Sequence, residues 1–200
     1  MFLALGGGHK SPSGNGSSPS GDSSSQSGNR AAAYGRRMRD RISPLPGQES
    51  VWDYPRPPRV EPVAERIVVV LGGQVVADTV RAVRVLETSH PPVYYLPRAD
   101  IVAGSLSNAE GNSWCEFKGR AKYLSVRSGE HTAERSAWYY PQPAAGYELL
   151  VDRVAIYPSQ MDSCTVDGER VTPQEGDFYG GWITSRVVGP FKGEVGSVGW

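Results

Sequence analysis

Ionisable side chains and prolines adjoin one another in the segment ETSHPPVYYLP, residues 87–97. Glu87, Ser89 and His90 precede two prolines, and Tyr95 follows them. Proline fixes its own φ angle and restricts the residue before it to extended conformations. The backbone therefore aims the imidazole of His90, as a proton-transfer group requires. The same features are also typical of a turn in which a histidine only makes structural hydrogen bonds.

An acid and an ammonium are the first candidates for a chemical pair. Glu87 ends an apolar predicted strand, and Lys118 stands next to the flexible Gly119. A carboxylate is costly to bury alone, so Lys118 is a natural partner for it. In an enzyme, Glu87 or His90 would be the acid or base, and Lys118 would stabilise negative charge. The alternative is a purely structural ion pair of Lys118 with Glu87 or with Glu116.

Side chains alternate between the two faces of a strand, so further residues can be assigned to one face or the other. In the segment WCEFKG, Lys118 is predicted to face away from Cys115, which we interpret as a buried structural thiol. In the segment AWYYP, Trp138 and Tyr140 share a face. If the three strands are neighbours, Glu87, Lys118, Trp138 and Tyr140 line one pocket.

The predicted site thus has two groups of members. The catalytic candidates are Glu87, His90 and Lys118, and the ligand-binding candidates are Tyr95, Gly119, Trp138 and Tyr140. Aromatic residues beside proline turns form either ordinary packing or a cage for a cation or planar ring. We expect the partner to be a small polar or anionic molecule, and the residues fit a binding site as well as an enzyme.

Composition argues against several classes of function. Residues 1–50 are net basic and residues 51–200 net acidic, whereas nucleic-acid-binding domains tend to be clearly basic. The chain has 2 cysteines and 3 histidines, too few and too scattered for a disulfide framework or a zinc site. We therefore expect no nucleic-acid partner, no metal and no cofactor.

The N-terminal part differs in composition from the rest. Residues 1–50 are predicted to be a disordered tail, because the stretch SPSGNGSSPSGDSSSQSG has no large apolar side chain to bury. Its richness in serine and poverty in acids also suit a plastid transit segment. Otherwise we expect a soluble cytoplasmic protein, since no apolar run is long enough to span a membrane. The sequence does not specify the oligomeric state.

Residues 51–200 are predicted to form one mainly β domain, because Gly and Pro separate short segments rich in Val, Ile and Tyr. The predicted strands are a hairpin at 66–79 turning at Gly72-Gly73, strands at 81–88 and 92–97, two strands at 113–126, one at 134–141, and a hairpin at 164–172 with a type I′ turn at Asp167-Gly168. Short helices are predicted within 99–107 and 146–154. The fold class is a single compact antiparallel β-barrel or sandwich with one or two short helices.

Several quoted segments together resemble a known family. They are ESVWDYPRPPRVEP, RVLETSHPPVYYLP, WCEFKGRAKY, AWYYPQP, VDGERV and GDFYGGWITS. The chain is similar over roughly residues 51–193 to the family catalogued as domain of unknown function 427, and most similar to its long single-domain branch from cyanobacteria, plants and algae. The resemblance implies a compact β-rich domain similar to the β-tent architecture, in which two sheets splay around a groove.

The resemblance also bears on the site. Many β-tent proteins hold zinc through paired CxxC motifs, which this chain lacks, so no metal is carried over. The positions that match the family's pattern are Glu87, Tyr95, Lys118, Gly119, Trp138 and Tyr140, and they carry over only the location of a candidate site. The family is also catalogued under a nucleotidyltransferase-like name.

Three functions remain open from the sequence. The first is a groove that binds a small polar or anionic ligand, with or without catalysis. The second is a non-enzymatic interaction module, in which WDYPRPP and FYGGW dock a partner through aromatic rings and extended prolines. The third is nucleotidyl transfer, which needs carboxylates that hold Mg²⁺; the nearest pair, Asp167 and Glu169, lies in a predicted hairpin.

Overall fold

The computed structural model describes residues 2–4 (backbone), 41–176, 178–194 and 197. These residues are mainly β, as predicted, and their helical segments are single 3-10 turns at Val51–Asp53, Arg98–Asp100, Glu148–Leu150 and Pro158–Gln160. Within this described part, no helix has the length and apolar character needed to cross a membrane.

The strands are short and follow one another closely along the chain. They are β1 (Phe2–Ala4), β2 (Glu49–Ser50), β3 (Arg59–Pro62), β4 (Ile67–Leu71), β5 (Gln74–Thr79), β6 (Val83–Leu86), β7 (Val93–Pro97), β8 (Leu106–Cys115), β9 (Gly119–Ser128), β10 (His131–Tyr139), β11 (Arg153–Ile156), β12 (Ser163–Val166), β13 (Glu169–Arg170), β14 (Thr172–Pro173), β15 (Trp182–Ile183) and β16 (Val187–Val188).

The largest sheet is antiparallel and has the strand order β1-β8-β9-β10-β11-β7-β6-β3. Its edge strands β1 and β3 do not pair with each other, so the described residues form no closed barrel, which corrects the barrel alternative. Strands β6 and β9 are four steps apart in this order, about 19 Å in a flat sheet. However, Glu87 just after β6 lies 3.7 Å from Lys118 just before β9. The sheet is therefore strongly curled, which brings distant strands together without making them neighbours.

Both faces of the curled sheet are covered by apolar packing. A second sheet, of order β13-β12-β4-β5, packs on one face, and the main core lies between the two sheets. In β7, Tyr94 and Leu96 belong to this core, whereas Tyr95 belongs to a second core on the opposite face. Strands that are buried on both faces are apolar at nearly every position, which explains the continuous run VYYL.

The two ends of the domain pack against each other. Strands β2 and β16 pair in parallel, with Glu49 opposite Val187, and Val51, Trp52 and Leu86 form a third apolar cluster with Val187. The ordered domain therefore begins before residue 51, since residues 41–50 already contact it. The rest of the predicted disordered tail, residues 5–40, lies outside the described residues.

The structure confirms both predicted hairpins. The β4–β5 turn has φ angles of +61° at Gly72 and +70° at Gly73, and the β12–β13 turn has +50° at Asp167 and +81° at Gly168. Positive φ at both central residues is the signature of a type I′ turn.

The predicted short helices are reduced to single turns. Residues 98–100 form one 3-10 turn before β8 begins at Leu106, and residues 148–150 form another before β11. Gly146 and Asp152, with φ angles of +88° and +54°, flank the second turn. A right-handed helix cannot continue through residues in the left-handed region, so the apolar spacing there produced a turn instead of a helix.

Candidate functional site

A cavity of about 180 Å³ lies on the face of the large sheet that is turned away from the small sheet. Its floor comes from strands of the large sheet and includes Tyr95, Ser113, Cys115 and Trp138. The charged and polar side chains at the cavity are Arg56, Glu87, His90, Lys118, Gln174 and Lys192. The cavity thus gathers five of the sequence-predicted site residues, namely Glu87, His90, Tyr95, Lys118 and Trp138.

The turn that follows β6 holds Glu87 and His90 in place. The His90 N–H donates to the Glu87 carbonyl at 3.0 Å, and the Ser89 N–H donates to the Val51 carbonyl at 2.9 Å. The Ser89 carbonyl accepts from the Lys192 N–H at 2.8 Å. Ser89 has a φ of +69°, which is uncommon for a residue other than glycine. Both terminal segments therefore fix the conformation of this turn.

Glu87 lies between two cations. One carboxylate oxygen is 3.3 Å from Nη1 of Arg56 and the other is 3.7 Å from Nζ of Lys118. Arg56 also pairs with Glu116 at 2.9 Å, and its side chain is 43% exposed. In contrast, only 6% of the Lys118 side chain is exposed. The site therefore has a buried ammonium at its inner end and an exposed guanidinium at its entrance.

The predicted faces of the segment WCEFKG are wrong. Cys115 and Lys118 were assigned to opposite faces, but both line the cavity. The reason is that β8 ends at Cys115 and residues 116–118 form a turn, so the alternation of a strand does not extend to Lys118. The Lys118 N–H points back to Sγ of Cys115 at 3.5 Å. Cys115 is buried, as predicted.

His90 is a neutral hydrogen-bonding group. Its Nδ1 lies 3.0 Å from the Thr88 carbonyl oxygen, and because a carbonyl only accepts, Nδ1 carries the proton. Burial lowers the pKa of His90 to about 4, although the nearby Glu87 carboxylate acts in the opposite direction. At neutral pH the ring is uncharged, and Nε2 is the nitrogen that can accept a hydrogen bond.

Aromatic rings in edge-to-face and tilted contact make up the floor of the cavity. The Trp138 indole N–H donates to the Tyr95 hydroxyl at 3.1 Å, and the Trp138 ring lies 4.4 Å from that of Tyr157. Burial raises the pKa of Tyr95, so its hydroxyl stays protonated. These contacts fix the orientation of the apolar ring surfaces at the bottom of the cavity.

A segment near the C terminus covers this floor. Gly180 lies so close to the indole that an added Cβ would be 2.2 Å from Cη2 of Trp138. Buried Gln174 fixes the cover, because its amide donates to the Lys192 carbonyl at 2.6 Å and its oxygen accepts from the Gly181 N–H at 3.1 Å. The sequence predicted no role for Gly180 or Gly181 at the cavity. Their close approach to the indole gives no signal in the sequence itself.

A buried hydroxyl on the cavity wall lacks a partner. Oγ of Ser113 is buried and, within the described part of the chain, makes no hydrogen bond. Buried polar groups are nearly always hydrogen-bonded, so such a group indicates an additional water or ligand. Ser113 was missed from the sequence, since a serine on a long strand resembles any other alternating polar residue.

Two predicted site residues do not reach the cavity. Tyr140 is buried in the second core beside Tyr95, with ring centroids 6.3 Å apart. Gly119 begins β9 with a φ of +96°, and its backbone passes close to the Gln142 carbonyl. Strand alternation correctly predicted the face of the sheet on which Tyr140 lies, but the cavity does not extend as far as Tyr140.

The segments considered for protein docking are largely inside the domain. Trp52 and Tyr54 of WDYPRPP are 4% and 7% exposed, and Trp182 of FYGGW is 1% exposed. The Trp52 indole N–H donates to the Pro190 carbonyl at 2.8 Å. These three rings join the terminal segments to the domain, whereas Phe178 of FYGGW is 40% exposed and contacts the half-buried Tyr179 ring, with centroids 5.4 Å apart.

The carboxylates of the second hairpin have structural partners. Asp167 accepts from the Arg66 N–H at 2.8 Å and pairs with Arg186 at 3.0 Å, while Glu169 accepts from the Ser185 hydroxyl at 2.8 Å. In the described ranges, His, Cys, Asp and Glu side chains form no group of three that could hold a metal ion.

Fold and site together define a class: a mainly β protein whose curled sheet carries an aromatic cavity with a buried ammonium. Residues 59–167 match the family NTP_transf_9, described as Domain of unknown function (DUF427). The chain belongs to this family, as the sequence resemblance indicated, while the branch stays a prediction. A comparison with curated proteins found no match.

Proposed function

We propose that the cavity binds a small planar ligand that carries an anionic group. The observation that carries this proposal is the environment of Lys118. Its ammonium is buried at the cavity wall, and its nearest carboxylate oxygen is 3.7 Å away, beyond good hydrogen-bond distance. A buried charge is costly unless hydrogen bonds satisfy it. A ligand oxygen would complete this environment.

Other polar groups around Lys118 support an oriented ligand. Ser113 and Arg56 offer further donors to the same anionic group. Glu87 and Nε2 of His90 are acceptors, so they favour a ligand that also carries an N–H or O–H donor. Polar groups that converge on a mostly apolar cavity are typical of small-molecule sites.

Size and shape support a single ring as the body of the ligand. The rings of Trp138 and Tyr157 form the floor, and the Gly180 backbone covers the edge of the Trp138 indole. An engineered apolar cavity of about 150 Å³ holds benzene, and this cavity has about 180 Å³. A one-ring carboxylic acid with a hydroxyl or amide substituent fits these dimensions.

Thermal unfolding of the full chain tests this proposal. The probes are benzoate and 4-hydroxybenzoate, with benzamide and benzyl alcohol as neutral counterparts of the same shape. A probe present at 100 times its dissociation constant should add about 2.7 kcal/mol of stability. We expect this gain with the acids and not with their neutral counterparts.

The variant Lys118→Met should lose the gain, because no buried cation then meets the anionic group. Arg170→Met is the matched control, since it removes one positive charge at an exposed position in β13. Equal responses of the two variants, or no gain with any acid, would contradict the proposal. Stabilisation by ATP with Mg²⁺ alone would instead favour the nucleotidyltransferase-like activity.

A further inference from the structure

A second hollow, of about 310 Å³, lies on strands β8, β9 and β10; it shares Tyr123 with the first cavity, but Lys118 does not line it. Its wall contains the amides Asn108 and Asn112, the cations Arg120 and Lys122, and the ring of Tyr139. No carboxylate is among the residues that line it. The composition of this wall therefore differs from that of the first cavity, which contains Glu87.

Irregular strand pairing creates this hollow. Asn108 pairs with Leu124 and Asn112 pairs with Lys122. Four residue steps along β8 therefore span the same stretch as two steps along β9. The extra residues form a bulge that bends β8 away from its partner. Beyond the bulge, Asn112, Lys122 and Tyr139 lie side by side across three strands. An amide, an ammonium and a phenol thus form one row.

Positive charge around the hollow has no acidic partner among the described residues. Arg98 lies over the Tyr139 ring at 4.8 Å, and Arg135 lies over the Tyr123 ring at 4.6 Å; both tyrosines line the hollow. Across the residues that the structure describes, the side chains of Arg98, Arg120, Lys122 and Arg135 make neither an ion pair nor a hydrogen bond. The arginines that pair with carboxylates are Arg41, Arg56, Arg59, Arg66, Arg81, Arg84 and Arg186.

We infer that this hollow is a binding site for a small phosphate ester. A phosphate monoester carries close to two negative charges and three acceptor oxygens at neutral pH, which matches Arg120, Lys122 and the two amides. Charge-assisted hydrogen bonds of this kind are the strong ones. The volume holds about ten waters at about 30 Å³ each, enough for a phosphate and a compact body against Tyr139. The inference does not depend on the function proposed for the first cavity.

Calorimetric titration of the full chain at fixed ionic strength tests the inference. The probes are inorganic phosphate, pyrophosphate and a hexose 6-phosphate, with the uncharged hexose as the neutral counterpart. We expect the phosphate-bearing probes to bind, the hexose not to bind, and binding to weaken as salt is added. The hexose phosphate should bind more tightly than phosphate alone, since its body contacts the tyrosine ring.

Paired double variants identify the site. Arg120→Gln with Lys122→Gln should weaken binding by at least about tenfold. The control, Arg127→Gln with Arg170→Gln, removes the same charge from exposed arginines that donate to the backbone carbonyls of Gly129 and Asp162, and it should leave binding unchanged. Circular dichroism checks that both double variants keep the fold.

Three outcomes would overturn the inference. They are no binding of any phosphate probe by the wild type, equal weakening in both double variants, and binding of a single-stranded oligonucleotide without binding of the small esters. Lys118→Met separates this site from the first cavity, because it should leave phosphate binding intact even if it abolishes the response to benzoate.

Discussion

At the scale of single residues, His90 shows how burial changes what a side chain can do. The sequence suggested a proton-transfer group aimed by two prolines. The turn at residues 87–90 fixes the orientation of the His90 ring, but burial in the folded protein also lowers the pKa of His90 to about 4. A general base works best with a pKa near the working pH. His90 is therefore better suited to accept a hydrogen bond than to take a proton at neutral pH.

This pKa predicts a specific dependence of stability on pH. An unfolded histidine titrates near 6.5, so between pH 6.5 and pH 4 the unfolded chain binds more protons at residue 90 than the folded chain does. The contribution of His90 to the free energy of unfolding is then complete above pH 6.5 and is lost as the pH falls towards 4, by at most about 3 kcal/mol. Urea unfolding of the wild type and of His90→Gln across this range measures it. The free energy of unfolding of His90→Gln should fall less steeply with decreasing pH than that of the wild type. Identical slopes for the two proteins would refute the lowered pKa of His90.

The sequence allowed some of the residue-scale chemistry to be predicted. Placing Glu87 and Lys118 together followed from the cost of a lone carboxylate at the end of an apolar strand, and the ion pair at 3.7 Å agrees with it. Ser113 and the contact of Gly180 with the indole depend on the curl of the sheet, which no local pattern encodes. Local sequence patterns therefore show which side chains need a partner. They do not show which side chains line the same cavity.

At the scale of elements, turn chemistry was the most reliable guide. Gly-Gly and Asp-Gly permit the positive φ angles that a tight hairpin needs, so both hairpins could be located from the sequence. Alternation failed where a strand stopped early, as at Cys115. The apolar spacing at residues 146–154 did not produce the predicted helix, because residues with positive φ flank the single turn. Local rules hold within an element and fail at its ends.

The first hairpin offers a matched pair of substitutions. An alanine at Gly72 or Gly73 meets the same left-handed strain, about 1–2 kcal/mol. Only at Gly72 would the new Cβ also meet the His131 ring, 2.4 Å from Cδ2, whereas the space around Gly73 is open. We expect Gly72→Ala to lose more stability than Gly73→Ala in urea unfolding. Adding His131→Ala should remove the difference, and equal losses in the single variants would show that the ring simply moves aside.

At the scale of the whole molecule, the C-terminal segment is part of the core although it lies outside residues 59–167. Trp182 is 1% exposed, lies 5.2 Å from the Tyr94 ring and donates its indole N–H to the Ile156 carbonyl at 3.2 Å. The N-terminal segment that begins at residue 41 is likewise packed through β2. Packed residues therefore extend on both sides of the matched span, residues 59–167.

Two tryptophan substitutions test this view of the domain. Trp182→Ala should cost about 3–5 kcal/mol of stability, as removal of a fully buried aromatic side chain does. Trp114→Ala is the matched control, because Trp114 is 52% exposed, and surface changes usually stay within about 0.5 kcal/mol. Chemical denaturation followed by circular dichroism compares them. A small effect at Trp182 would mean that the C-terminal segment is an accessory rather than a part of the core.

The floor of the first cavity belongs to strands within residues 59–167, whereas Phe178, Tyr179, Gly180 and Lys192 on its other side follow that span. Glu87, His90 and Lys118 lie within the matched span, so the later segment supplies the opposite side of the same cavity. Substitutions at Phe178 or Tyr179, which are less buried than Trp182, would change the cavity from that side and leave the core tryptophan in place. The size and polarity of the cavity can therefore change through these two positions alone, whereas replacing the whole segment would also remove core packing.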